Sequence, residues 1–189
     1  MMGVMAAASA QSAPQRASER NLPDALDVSV TYTASYAGLS SGSNNFWLQG
    51  GSAELSARVW RGLSEAANVT GLHTADSGNG VPVNVVTATF GPRYTWVHNG
   101  ASRRDVQVFG EFLVGIASGF SGYYPEAGGA TDSATSLALL GSGGVDYKLN
   151  RRLTLRLVQV NWLRTQLPNA STNVQNNLTL GAGIVFRVK

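Results

Sequence analysis

Eight ionisable residues sit in segments that otherwise suit a sheet. Residues 107–116 read QVFGEFLVGI, a run of Val, Phe, Leu and Ile with one carboxylate, Glu111, in its middle. An ionised carboxylate among apolar side chains is costly unless a counter-charge reaches it. Asp27, Glu54 and Asp146 stand in comparable segments, and so do Arg58, Arg93, Arg156 and Arg187. Four acids and four arginines point to a mutually satisfied network on one shared face. Two chemical readings follow. The network fills and fixes an enclosed space, or it gates a narrow polar path for ions.

Other chemistries find little material here. The chain has no cysteine, which excludes a disulfide scaffold and thiolate metal sites. Its two histidines, His73 and His98, are far apart and make a poor ligand set, so neither a metal nor a cofactor is expected. His98 lies in a short connection beside Asn99 and Gly100, while His73 has Thr74 and Asp76 close in sequence. His73 is therefore the one candidate for a catalyst at a rim, but no His-x-Ser arrangement occurs and no catalytic residue is assigned. The GSGG at 141–144 lacks the Lys-Ser/Thr ending of a phosphate loop and opens no helix. Charged residues are 13% of the 189, the net charge is +3, and two lysines stand against twelve arginines. No basic cluster with interleaved aromatics appears, so nucleic-acid binding is not expected. So few lysines imply that something other than water faces much of the surface.

The elements that position the charges alternate with period two. Residues 26–36 place Leu26, Val28, Val30, Tyr32, Ala34 and Tyr36 on one face, with Asp27, Ser29, Thr31, Thr33 and Ser35 on the other. Segments 52–59, 86–96 and 178–188 alternate as cleanly, and 63–74, 106–117, 135–147 and 153–164 less so. Leu157-Val158 breaks phase, which a β-bulge would explain. Eight strands result. Short connections at 61–62, 97–104 and 148–152 alternate with longer ones at 37–45, 75–84, 118–134 and 165–176. That pattern predicts an eight-stranded antiparallel up-and-down barrel with two unlike ends over residues 25–189. Tyr123, Tyr124 and Glu126 fall in the 118–134 connection, whose ligand, if it has one, the sequence does not name.

Alternation alone leaves two barrels open. A secreted lipocalin-like barrel points its apolar face inward around a ligand, and a transmembrane barrel points it outward to lipid. Strand length favours the membrane, since about ten tilted residues cross a bilayer. The polar face does too, being built of Ser, Thr, Gly and complementary charges. Aromatics also gather at strand ends. Trp60, Trp96, Tyr147 and Phe186 mark one rim; Tyr36, Phe46, Trp47, Phe120, Tyr123, Tyr124 and Trp162 lie toward the other. These are the two girdles expected where headgroups meet hydrocarbon, although Trp60 is out of phase with its neighbours. In a transmembrane barrel all eight ionisable residues named above point into the lumen.

The N-terminal MMGVMAAASAQSAP, with Ala8-Ser9-Ala10 before Gln11, reads as the remnant of a secretory signal peptide followed by a linker, residues 1–24. Residues 143–167, from Gly144-Val-Asp-Tyr147 through the basic turn 148–152 to Leu153-x-Leu-Arg156, resemble the small outer-membrane β-barrel family related to the transmembrane domain of outer-membrane protein A. TATFGPRYTW (87–96) and LTLGAGIVFRV (178–188) are similar to the same family, so the resemblance spans roughly residues 25–188. Members usually finish on an aromatic, whereas here Phe186 is followed by Arg187, Val188 and Lys189. The resemblance implies a monomer of the bacterial outer membrane, with lipid and the barrel-assembly machinery as partners. It implies a structural platform for four surface loops, with a narrow pore or a lipid A-modifying enzyme as the alternatives.

Overall fold

Backbone N–H and C=O groups away from water need partners, and a sheet closed on itself supplies them without leaving an edge. The computed structural model describes residues 25–38, 45–75, 82–98, 106–126, 129–168 and 174–188. Within them run β1 (Leu26–Gly38), β2 (Asn45–Trp60), β3 (Leu63–Thr74), β4 (Val83–His98), β5 (Val106–Glu126), β6 (Gly129–Lys148), β7 (Leu153–Thr165) and β8 (Gln175–Arg187). Each strand pairs antiparallel with the next, and β8 returns to β1, giving a closed barrel in sequence order. Residues 1–24, including the signal-like segment, lie outside the described set.

The register shows how far the strands slant. Following paired residues from Tyr94 on β4 through Gly110, Gly143, Val160, Leu180, Ala34, Gln49 and His73 leads back to β4 at Asn84, ten residues away. With eight strands, that stagger corresponds to a tilt of roughly 40° from the barrel axis. Two of the short connections are locally specified. Arg61, with φ 42°, begins the β2–β3 turn, and the carbonyl of Gly62 accepts from Thr95 N at 2.8 Å. In the β6–β7 turn, Asn150 Oδ1 accepts from the backbone N–H of both Arg152 and Leu153 at 2.9 Å.

The apolar face points outward. Val30, Leu55, Val69, Phe90, Phe112, Val114, Ile116, Leu157, Leu178 and Ile184 are all exposed, while Ser29, Thr31, Thr33, Glu54, Arg93, Glu111, Asp146 and Arg156 are buried. This is the transmembrane arrangement and the reverse of the lipocalin-like alternative. Trp60 reaches the outer face because the β2–β3 register shifts between Arg58 and Trp60, which exposes Val59 and Trp60 together. The β7–β8 register likewise shifts between Arg156 and Gln159, and Leu157 and Val158 both face outward there.

Two features depart from the sequence expectation. First, β2 starts at Asn45 rather than near residue 52, and the 118–134 connection is mostly ladder: β5 runs to Glu126 and β6 starts at Gly129. Pairs from Ser118↔Thr135 to Glu126↔Gly129 extend this hairpin well past its neighbours. Its Ser, Gly and Ala give no alternation to read, but backbone pairing does not require one. Second, polarity inverts toward the end with the long connections. Gln49, His73, Asn84, Ser118 and Thr135 take the outer face there, while Leu48, Leu72, Ala117 and Ala138 are buried inside. The outward polar residues mark where an apolar surroundings would end.

Glycines let the strands approach closely at a few points. A Cβ on Gly115 would lie 1.9 Å from the Ala88 carbonyl oxygen, whereas one on Gly110 of the same strand would meet nothing nearer than a Trp96 ring carbon at 3.6 Å. Gly115→Ala is therefore expected to destabilise the barrel by about 2 kcal/mol. Gly110→Ala is expected to be near neutral, the comparison being made by urea unfolding in lipid vesicles.

Candidate functional site

The lumen holds the ionisable side chains, and closure of the barrel decides which of them meet. β4 delivers Arg93 between three carboxylates from three other strands. Arg93 Nη1 donates to Glu54 Oε1 and, at 3.4 Å, to Glu111 Oε2, while Nη2 donates to Asp146 Oδ2 at 3.3 Å. Arg156 on β7 forms a two-point contact with Asp146, through Nε at 3.0 Å and Nη2 at 3.3 Å. Its Nη1 donates to Gln159 Oε1 at 3.1 Å and Ser29 Oγ at 3.3 Å, and lies 3.7 Å from Glu54 Oε1. Asn68 on β3 donates to Glu54 Oε2 at 3.5 Å. Charge-assisted bonds of this kind are what make buried ions tolerable.

Phe109 completes the arrangement. Its ring lies 3.7 Å from the Arg93 guanidinium carbon and 4.4 Å from that of Arg156, so both cations stack on one aromatic. The ring occupies space left open by Gly144, where a Cβ would come within 2.7 Å of two ring carbons and 2.5 Å of the Val158 carbonyl oxygen. Sequence reading places Phe109 on the polar face without giving it a role. The available signals were an aromatic at the parity of Glu111 and a glycine, Gly144, on the neighbouring strand. Gln159, Asn68 and Ser29 were missed as network members because neutral polar residues on that face are numerous.

Of the eight ionisable residues, Glu54, Arg93, Glu111, Asp146 and Arg156 thus come together. Asp27 and Arg187 form a separate pair at the β1–β8 closure, two-pronged at 2.8 and 2.9 Å and partly exposed. Arg58 is half-buried and forms no ion pair among the described residues. Beyond the charged layer, leucines and alanines cluster chiefly on the β5–β7 side, which the expected polar interior did not include, while Thr31, Thr33, Thr87 and Thr179 are buried on β1, β4 and β8. Leu113, Leu140 and Leu163 are register neighbours on β5, β6 and β7, and pack with Ala66, Ala117 and Ala138 in one buried cluster. Leu48, Leu72 and Val83 form another.

The aromatic set is largely at the outer surface. Tyr36, Trp47, Trp60, Trp96, Trp162 and Phe186 are exposed, and Tyr147 is half-exposed. Tyr36 packs on Trp47 at 5.1 Å between ring centroids and Tyr94 on Trp96 at 4.6 Å, on different strand ends. The side chains of Phe46, Tyr123, Tyr124 and His98, and all of Asp76, lie outside the described set. His73 faces outward with Nδ1 2.7 Å from Asn84 Oδ1, while Thr74, the next residue, is buried on the opposite face. That separation keeps them from acting as a pair. Among the described residues no cluster of His, Cys, Asp or Glu suits a metal ion.

An eight-stranded antiparallel barrel with lipid-type polarity outside and an ionic interior is a small transmembrane β-barrel. No protein-family model matches the chain, and no curated protein sequence matches it. Solved structures do share the fold. Neisserial surface protein A superposes with a TM-score of 0.55 at 15% identity, over 85% of this chain and 96% of that one. Ail, the attachment invasion locus protein of Yersinia pestis, in complex with the heparin analogue sucrose octasulfate, also gives 0.55, at 13% identity over 86% and 97%. The outer membrane protein OprG from Pseudomonas aeruginosa gives 0.50 at 11% identity over 88% and 96%. The likeness is one of fold.

Removing one partner of a buried ionic network leaves the others uncompensated. Arg93→Met is expected to lower stability by about 3–5 kcal/mol, because three carboxylates then face Arg156 alone. Adding Glu54→Gln to Arg93→Met is expected to recover part of that loss, as a double-mutant comparison of unfolding in vesicles will reveal.

Proposed function

We propose that this protein is a monomeric, non-conducting β-barrel of a bacterial outer membrane, a rigid platform for the connections at its long-loop end. One observation carries the reading: an exterior of exposed Val, Leu, Ile and Phe encloses a buried ionic cluster. Water would be a poor solvent for that exterior, and a bilayer a good one. The fold shared with Neisserial surface protein A and OprG supports the location. Membrane lipid is the partner of the outer face, and the barrel-assembly machinery inserts the chain.

The closed state is supported by two layers in series. The Arg93–Arg156 network occupies the half nearer the short turns, and the Leu113–Leu140–Leu163 cluster, with Ala117 and Ala138 at 0% exposure, fills the lumen above it. Eight strands leave an interior that side chains can fill, so neither layer has to be large to seal it. An ion would have to displace both the paired charges and the leucine cluster. The β5–β6 hairpin, the longest in the barrel, projects beyond the strands on either side and is the main surface carried by the platform. His73 is not assigned a catalytic part, since its ring is engaged by Asn84 and Thr74 faces away.

Cell fractionation and reconstitution test this reading. The protein is expected in the outer-membrane fraction, with heat-modifiable migration on gels and no steady current in planar bilayers. Sustained conductance would overturn the closed state, and recovery in the soluble fraction without detergent would overturn the membrane location.

A further inference from the structure

Glu65 is a carboxylate on the apolar outer face. β3 alternates around it: Ser64 and Ala66 are buried in the lumen, and Glu65 is exposed on the opposite side with Ala67 and Val69. Across the sheet it pairs with Ala57 and Pro92, and along its own strand the next outward residues are Leu63 and Ala67. None of these four side chains can donate a hydrogen bond. Among the described residues Glu65 forms no ion pair. Glu54, Glu111 and Asp146 are buried inside, Asp27 is held by Arg187, and Asp132 lies in the projecting β5–β6 hairpin. Among the described residues Glu65 is therefore the one acid set in the outward apolar band. An ionisable side chain on a lipid-facing surface is costly and calls for a partner from outside the chain.

Two further features lie beside it. Toward the short turns, Leu63 pairs with Trp60 on one side and Tyr94 on the other, both exposed. Glu65 is one outward position nearer the membrane centre than these rings, close to headgroup level. In the turn itself, the exposed Arg61 holds its guanidinium carbon 5.2 Å from the centre of the Trp60 ring and forms no ion pair among the described residues. Toward the membrane centre, a groove of about 540 Å³ opens at Ala67. Ala53, Ala67 and Ala88 keep it shallow-walled at its floor, and Leu55, Phe90 and Val114 stand around them. It has room for about eighteen water-sized groups at roughly 30 Å³ each. A methylene is of that order, so one acyl chain fits.

We propose that this face of the barrel binds one phospholipid whose zwitterionic headgroup carries a primary ammonium. Glu65 accepts hydrogen bonds from the ammonium, Arg61 donates to the phosphate, and the groove takes one acyl chain. The charge pattern selects the occupant. A carboxylate and a guanidinium at one rim complement a headgroup with one ammonium and one phosphate. A headgroup without an ammonium offers Glu65 no counter-charge, and a quaternary ammonium has no N–H to donate to it. The site lies at the short-turn end, which faces the periplasm in an outer-membrane barrel, so the lipid belongs to the inner leaflet of that membrane. The inference rests on the membrane reading above and adds the class of lipid and the place where it docks.

The test uses the full chain folded in phosphatidylcholine vesicles doped with equal small amounts of phosphatidylethanolamine and phosphatidylglycerol. The barrel is released in mild detergent, and the lipid it retains is identified by native mass spectrometry. Wild type is expected to keep one phosphatidylethanolamine, enriched about fivefold over its share of the vesicle. Glu65→Gln changes only an exposed side chain and is expected to abolish that enrichment while heat-modifiable migration persists. Arg61→Gln removes the phosphate contact and is expected to lower retention of all three lipids. Ala67→Leu fills the groove and is expected to do the same. An inserted wild-type barrel without the enrichment, equal enrichment of phosphatidylglycerol, an enrichment that survives Glu65→Gln, or full retention in Ala67→Leu would overturn the proposal. A dimer in place of bound lipid would assign the face to a second copy and overturn it too. Absence of heat-modifiable migration in wild type instead overturns the membrane reading on which the site rests.

Discussion

Arg93 is the residue on which the interior depends. Among the described residues its guanidinium is the only group that touches Glu54, Glu111 and Asp146 together, and it reaches them from a fourth strand. The interaction is therefore a cross-brace between β2, β4, β5 and β6, with Arg156 adding β7 and, through Ser29, β1. Planar guanidinium suits this use, because it can donate in several directions while its face lies on an aromatic. Phe109 supplies that face for both arginines, and Gly144 makes the room. Arg93–Glu111 and Arg156–Asp146 form within single hairpins, but the contacts of Arg93 with Glu54 and Asp146 and of Arg156 with Ser29 join more distant strands, so the complete brace exists only once the sheet has curled round.

The exterior follows a different constraint. Surrounded by hydrocarbon, a strand cannot leave backbone groups or charges pointing outward, and the exposed Val, Leu, Ile and Phe conform to that. The constraint relaxes toward the long-connection end, where Gln49, His73 and Asn84 occupy successive outward register positions and Leu48 and Leu72 turn inward. The inversion is physically sensible on both sides. Outside, polar side chains meet headgroups and water; inside, leucines fill part of the lumen without adding buried polar atoms that need partners.

Strand faces, strand count and the barrel itself were legible in the chain. Period-two alternation from Leu26 to Tyr36 and from Leu178 to Val188 assigns inside and outside residue by residue, because successive side chains must leave a strand on opposite faces. The slip at Leu157-Val158 signalled the β7–β8 bulge for the same reason. The need of Glu111 for a counter-charge was legible as well, since an isolated buried carboxylate is not a stable state. Where polarity inverts or side chains are small, alternation is weak: it leaves FWLQGG (46–51) unassigned and makes the Ser/Gly/Ala stretch after Ala117 a connection, whereas both are strand.

What the sequence by itself determined is thus which side chains are enclosed and which face the membrane. Only the tertiary structure decided which enclosed groups meet. That choice depends on the stagger of ten residues per circuit, which sets heights around the barrel and lies in no single segment. It brings Arg93 to Glu54, Glu111 and Asp146, and leaves Arg187 with Asp27 at the seam. Pairing between ions falls off over a few ångströms, so a shift of one register step would join different partners from the same alternating strands.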